Sequence, residues 1–121
     1  MIGYVTIGTN RFDEAAAFYD ALLGQLGAGR AMEGDNFIAW SGGGAPGISI
    51  ILPENGQPAT PGNGSMIALP LETVEAVDAL HARALTLGAE DAGTPGRRSA
   101  HFYAGYFRDL DGHKYVIYCV G

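Results

Sequence analysis

The feature that most narrows what this chain can fold into is a plan of elements written twice. Residues 2–52 read as strand, helix and three further strands, and residues 65–120 read the same way. Sliding the first copy forward by 62 positions lays Tyr4 on Met66 and Phe18-Tyr19 on Leu80-His81. A repeat longer than a solenoid unit and present only twice points to one domain built from two halves that share a core.

The local signals support that plan. Ile2-Gly3-Tyr4-Val5-Thr6-Ile7 is short and β-branched, and Thr9-Asn10 offers an N-cap to the segment that follows. There Phe12, Ala15, Ala16, Tyr19, Leu22, Leu23 and Leu26 recur at helical spacing before Gly27 ends the helix. Strands are predicted over 30–33, 37–41 and 47–52, separated by the turn signals Gly34-Asp35-Asn36 and Gly42-Gly43-Gly44. Residues 53–64, rich in proline and glycine, cannot bury much and read as a linker. The second half opens with a strand over 66–69. It enters a helix near Glu72-Thr73 with the stripe Val74, Val77, Leu80, Ala84 and Leu87, and stops that helix at Gly88. A short strand over 89–92, a turn at Thr94-Pro95-Gly96, and a hairpin joining 101–108 to 113–120 through Asp109-Leu110-Asp111-Gly112 complete it.

Size and charge bound the partners. With 121 residues, 47% of them hydrophobic, the chain can bury one sizeable core but not two independent ones. The expectation is therefore a single domain over 1–121, with modules at 1–52 and 65–121 joined by the linker 53–64. The formal net charge is -6, and the basic residues cluster only at Arg97-Arg98, so nucleic acid is not an expected partner. No apolar run approaches the roughly 20 residues a membrane span needs, and the start lacks the marks of a signal peptide. A cytoplasmic protein with no membrane partner is expected. The single cysteine, Cys119, excludes an intrachain disulfide and reads as a packed thiol in the last strand.

The order βαβββ–βαβββ, the opening Met1-Ile2-Gly3-Tyr4-Val5-Thr6-Ile7-Gly8, the triplet Ala17-Phe18-Tyr19 and the run from Phe102 to Lys114 around Asp109-Leu110-Asp111-Gly112 together resemble the vicinal oxygen chelate superfamily. This is the group of glyoxalase I, bleomycin-resistance proteins and extradiol dioxygenases. The resemblance covers essentially the whole chain. It implies an α+β fold in which two βαβββ modules form a pair of curved mixed-sheet half-barrels around a cavity, with the helices outside. It also implies where a metal would sit. Metal-using members carry His, Glu, His and Glu at positions that fall here on Tyr4, near Ile48 or Ser49, on Met66 and on Val116. None of these is an imidazole or a carboxylate, the lone-pair donors such a divalent site uses. The inherited site is expected to be degenerate, with no metal and no other cofactor. The three histidines do not replace it. His81 reads as a half-buried helix residue with a hydrogen-bonded ring, and His101 and His113 as solvent-exposed strand ends about 23 Å apart at the usual rise.

The cavity lining follows from alternation. Pairing Arg108 with His113 sets Tyr103 opposite Tyr118. If Val116 faces inward, Tyr118 does too, with Tyr103 and Gly105 beside it and with Tyr115, Ile117 and Cys119 turned to the helices. Tyr4, Thr6, Met66 and Ala68 point the same way, joined by Trp40 or Phe37. Plain core packing accounts for Tyr115 and Phe107; for Tyr4, Tyr103 and Tyr118 both readings stay open, because a buried phenol needs a partner. Arg97 and Arg98 fall on a loop that the resemblance puts near the cavity mouth, where they are solvated charges or, for one of them, a fork meeting an anionic ligand.

The candidate ligand-binding set is therefore Tyr4, Trp40, Met66, Tyr103, Val116, Tyr118 and Arg98, with no catalytic residue assigned. No Ser-His-Asp set, Cys-His pair or phosphate-cradling loop is visible. The function expected is binding of a small, partly aromatic molecule. The alternatives are a glyoxalase- or dioxygenase-type enzyme using an altered or dimer-shared metal site, or a metal-free enzyme with Tyr4 or Tyr118 as acid or base. Because one module makes only half a barrel, and because the resemblance implies that half-barrels pair across two chains, a homodimer is expected.

Overall fold

The computed structural model describes residues 1–42 and 47–121. They form two compact units, Met1–Pro61 and Gly62–Gly121. The first contains β1 (Tyr4–Gly8), α1 (Phe12–Gly24), β2 (Gly29–Glu33), β3 (Phe37–Ser41) and β4 (Gly47–Ile51). The second contains β5 (Ile67–Pro70), α2 (Val74–Thr86), β6 (Glu90–Ser99), β7 (Phe102–Arg108) and β8 (Lys114–Val120). The sheets run β1-β4-β3-β2 and β5-β8-β7-β6. In each, the strand before the helix lies parallel to the last strand of its unit and the other pairs are antiparallel. This is the expected α+β plan of βαβββ twice. Both helices are 13 residues long and start 62 positions apart, the offset read from the repeat. No helix among the described residues is long and apolar enough to cross a membrane.

The helix ends follow local chemistry. Thr73 caps α2, its side-chain oxygen accepting the Ala76 N–H at 3.0 Å. The cap of α1 differs from expectation: Arg11, not Thr9 or Asn10, holds the cap position, without a side-chain cap bond. Thr9 is turned to another task, its hydroxyl accepting the Arg11 N–H at 3.1 Å. Beyond the helices, Gly27 and Gly88 take φ of +82° and +107°, the left-handed conformation that ends a helix with least strain in glycine.

Each sheet presents one face to its helix. In the first unit Ile38, Trp40, Ile48 and Ile50 lie on that face under Ala15, Phe18, Tyr19, Leu22 and Leu23 of α1, all buried. The Tyr19 and Trp40 rings are 5.6 Å apart, and the Trp40 indole donates to Asp20 at 2.8 Å. In the second unit Phe107 and Tyr115 stack at 5.1 Å and, with Ile117, lie beneath Val77, Leu80 and Ala84. Each such fully buried large side chain contributes about 2 kcal/mol.

Four expectations about local geometry are corrected. Thr94-Pro95-Gly96 is not a turn between two strands. β6 continues through it, and the pairing with β7 slips around Asp91–Gly93, Gly93–Gly96 and Arg97–Ser99. Proline has no N–H for a ladder, so the strand bulges there instead of ending. Arg97 and Arg98 consequently stand on β6 and not on a loop. The final hairpin pairs Arg108 with Lys114, not with His113. The Asp109 side chain accepts the N–H groups of Asp111 and His113 at 3.0 and 2.9 Å, and the Asp109 N–H donates to the His113 carbonyl. These bonds draw His113 into the turn, where it is buried at 7% exposure and not solvated. Gly42 is described; Gly43 and Gly44 of the predicted glycine turn lie outside the described residues.

Candidate functional site

The one-residue difference in register decides what stands on each face of the second sheet, because neighbouring side chains alternate. Directly opposed residues share a face. Tyr103, Gly105 and Phe107 are therefore opposed to Cys119, Ile117 and Tyr115 on the side of α2. Phe102, Ala104, Tyr106 and Arg108 are opposed to Val120, Tyr118, Val116 and Lys114 on the other side, called the open face because the helix of this unit does not pack on it, although Ala104 and Val116 in its middle are buried. Ala68 of β5 stands level with Val116 there.

The helix side is held by polar contacts. The Tyr103 hydroxyl donates to Asp78 of α2 at 2.5 Å, which pushes the phenol's pKa up because ionisation would break the bond and set two negative charges together. His81, buried in the same helix, places Nε2 3.1 Å from the Asp91 carboxylate and 3.0 Å from the Tyr106 carbonyl. Both are acceptors, so Nε2 carries the proton. Asp91 is held below the ordinary carboxylate range, first by the Gly93 N–H, then by the Thr94 hydroxyl and His81. The expected hydrogen-bonded helix histidine is thus present as a structural pin. Cys119 faces the helix side as expected but is half-buried, its thiol directed to the Glu72 carbonyl at 3.5 Å.

The open face has two chemically different ends. At one, Phe102 and Tyr118 stack at 5.3 Å. At the other, the Tyr106 ring has the Arg98 guanidinium carbon 5.4 Å and the Lys114 ammonium 5.3 Å from its centroid. The ring fits because its partner on β6 is Gly93, where an added Cβ would lie 2.8 Å from Tyr106 Cδ1. One Arg98 N–H is fixed on the Thr94 carbonyl at 2.7 Å, leaving the rest of the fork available. Arg108 folds back to the Gly112 carbonyl at 3.0 Å. Arg97, next to Arg98 in the chain, is on the opposite side, 5.7 Å from the Tyr103 ring.

The candidate residues therefore separate. Val116, Tyr118 and Arg98 meet on the open face of the second unit, and Met66, half exposed, precedes β5 at its edge. Tyr103 does not join them, since it faces α2. In the first unit Tyr4, at 57% exposure, shares a face with Thr6, Ser49 and Phe37. Trp40 is on the opposite, helix-packed side, and the choice between Trp40 and Phe37 falls to Phe37. Tyr106 and Lys114 were missed by the sequence reading. The signal was available in Lys114, the one lysine of an acidic chain, but the assumed register sent it to the wrong partner.

The donor set does not fit a divalent metal of the family type. Tyr4, Ser49, Met66 and Val116 offer a phenol, a hydroxyl, a thioether and an isopropyl group, and Ile48 faces α1. Among the described residues no three His, Cys, Asp or Glu side chains gather where they could hold an ion.

Two βαβββ units, each a mixed four-stranded sheet with one helix-packed and one open face, define a glyoxalase-type protein. The chain belongs to the Glyoxalase/Bleomycin resistance protein/Dioxygenase superfamily, whose family model matches residues 1–117. A glyoxalase/bleomycin resistance protein from Albidiferax ferrireducens is similar over 100% of this chain and 99% of its own, with 35% identity and a TM-score of 0.91. A glyoxalase/bleomycin resistance protein/dioxygenase family enzyme from Burkholderia phytofirmans aligns over 98% of both chains at 22% identity and a TM-score of 0.82. The fosfomycin resistance protein of Listeria monocytogenes, solved with Mn(II) and sulfate, covers 100% of this chain and 90% of its own at 19% identity and a TM-score of 0.75. The last two likenesses concern the fold alone. No curated protein matches the chain.

Proposed function

We propose that this chain is a metal-independent, small-molecule-binding member of its superfamily, taking a partly aromatic ligand on the open faces of its sheets. One observation carries the reading: where metal-using relatives place His and Glu, this chain has Tyr4, Ile48 or Ser49, Met66 and Val116. Such groups suit contact with an apolar or aromatic body and supply hydroxyls for directional hydrogen bonds. Of the candidate ligand contacts, Tyr4, Met66, Val116, Tyr118 and Arg98 remain in the proposal.

The same reading includes a homodimer. Tyr4, Met32, Met66 and Val120 are 57%, 51%, 50% and 69% exposed, and β1 and β5 are edge strands, a combination that invites pairing with a second copy. Sedimentation at micromolar concentration tests it, and a monomer there would remove the dimer from the proposal. Elemental analysis of the purified protein, followed by calorimetric titration with Mn(II), Ni(II) and Zn(II), tests metal independence. A stoichiometric, tightly held divalent ion would overturn it in favour of an enzyme with an altered site.

A further inference from the structure

Resting on the binding function proposed above, we infer that the open face of β6, β7 and β8 selects a small carboxylate with a flat, unsaturated body, its anionic group held by Arg98 and Lys114 beside Tyr106. The chain is strongly acidic, yet this face gathers its one lysine and two arginines, Arg98 and Arg108, with the Glu90 carboxylate opposed to Arg108. Such a local reversal of sign draws in anions against the net charge. Among the described residues the ion pairs at Arg30 and His81 lie elsewhere, and none engages Arg98 or Lys114. Glu90 stands opposite Arg108 at the far edge, and two other nearby acids are bonded elsewhere. Asp91 is bonded to Gly93, Thr94 and His81, and Asp109 to the backbone of its turn.

The two cations are positioned through Tyr106. Its ring lies over Gly93 and has one cation from β6 and one from β8, each within 5.5 Å of its centroid. A carboxylate has two oxygens in one plane, and a guanidinium fork can meet them while an ammonium adds a third donor. Toward the other end of the face, the half-buried, stacked Phe102–Tyr118 pair offers a flat apolar surface. A ring or conjugated chain suits that surface, because aromatic faces stack offset on one another. The geometry thus asks for charge and flatness in one molecule, which neither an inorganic anion nor a neutral aromatic supplies.

The experiment compares benzoate, benzamide and acetate as probes, titrated into the full-length protein and followed by amide and tyrosine-ring NMR shifts. Benzoate is expected to bind with shifts centred on Tyr106, Lys114 and Tyr118, benzamide about tenfold more weakly, and acetate more weakly still. Arg98→Gln and Lys114→Gln each lower benzoate affinity about tenfold and leave benzamide unchanged, while Lys114→Arg retains most of it. Because both side chains are at the surface, the glutamine variants are checked for native spectra. Equal affinity for benzoate and benzamide, or an unchanged benzoate affinity in both glutamine variants, would overturn the anion assignment while leaving metal-independent binding intact. Acetate binding as well as benzoate would overturn the flat-body requirement. A benzoate response seen only after Mn(II) or Zn(II) is added would overturn both readings, and no response at millimolar probe would overturn the assignment.

Discussion

Asp109 and His113 are joined twice, the carboxylate of Asp109 accepting the His113 N–H and its own N–H donating to the His113 carbonyl, each at 2.9 Å. That double link makes the turn one residue longer than its sequence suggests and sets Lys114 opposite Arg108. The chemistry of the open face depends on it. Asp109→Ala removes a buried acceptor of two N–H groups and is expected to cost about 2 kcal/mol in urea unfolding. It is also expected to broaden the Lys114 and Tyr106 resonances as the hairpin loses a single register.

Gly93 offers a second test of the same face. Adding a Cβ there would meet Tyr106 Cδ1 at 2.8 Å and Cβ at 3.3 Å, too near the root of the side chain for the ring to swing clear. Gly93→Ala should cost about 1–3 kcal/mol and shift the Tyr106 ring signals. The control is Gly3→Ala, which meets nothing within 4 Å and should leave thermal unfolding unchanged.

In the first unit, Arg30 bonds both carboxylate oxygens of Asp20, and with the Trp40 indole it holds this carboxyl below its ordinary pKa of 3.8. A depressed folded pKa means the stabilisation is present above the unfolded value and is lost as pH falls through the folded one. Urea midpoints measured across the acid range should therefore fall below about pH 4, and part of that fall should vanish in Asp20→Asn. Asp20→Ala should in addition strand the buried Trp40 N–H, costing about 1–3 kcal/mol, with a change in tryptophan fluorescence as the local readout.

Tyr103 titrates in the opposite sense. Its bond to Asp78 favours the neutral phenol, so the folded pKa lies above 10.0, and the stabilisation is complete below that value and lost as pH rises through the raised one. In an ultraviolet titration Tyr103 is expected to contribute a late-ionising component. It should disappear in Tyr103→Phe and ionise earlier in Asp78→Asn, and a titration unchanged in both variants would refute the link.

Much of the fold is written in repeating patterns, and these survive translation into structure. The helical stripe from Phe12 to Leu23 and the capped start at Thr73 place both helices, and their common offset identifies the duplication. Features made by single side chains were harder to read. Pro95 in a strand resembles a turn until the partner strand is known to bulge around it, and Asp109 extends its loop through a carboxylate that no periodicity records. Trp40 looked like a ligand contact, yet its indole N–H needed Asp20, and that need turned it to the helix. The candidate site suffered most, because one slipped residue exchanged Tyr103 for Tyr106 and hid Lys114.

Tyr106 touches both sides of its sheet: its carbonyl takes the His81 ring while its own ring lies with Arg98 and Lys114. A single peptide unit is therefore all the material between the buried imidazole and whatever rests outside. Tyr106 is thus one route by which a tilt of α2 would reach the outer surface, and by which an occupant of the surface would be felt by the helix. The imidazole resonances of His81 thus become a spectroscopic listening post for events on the far side of the strand.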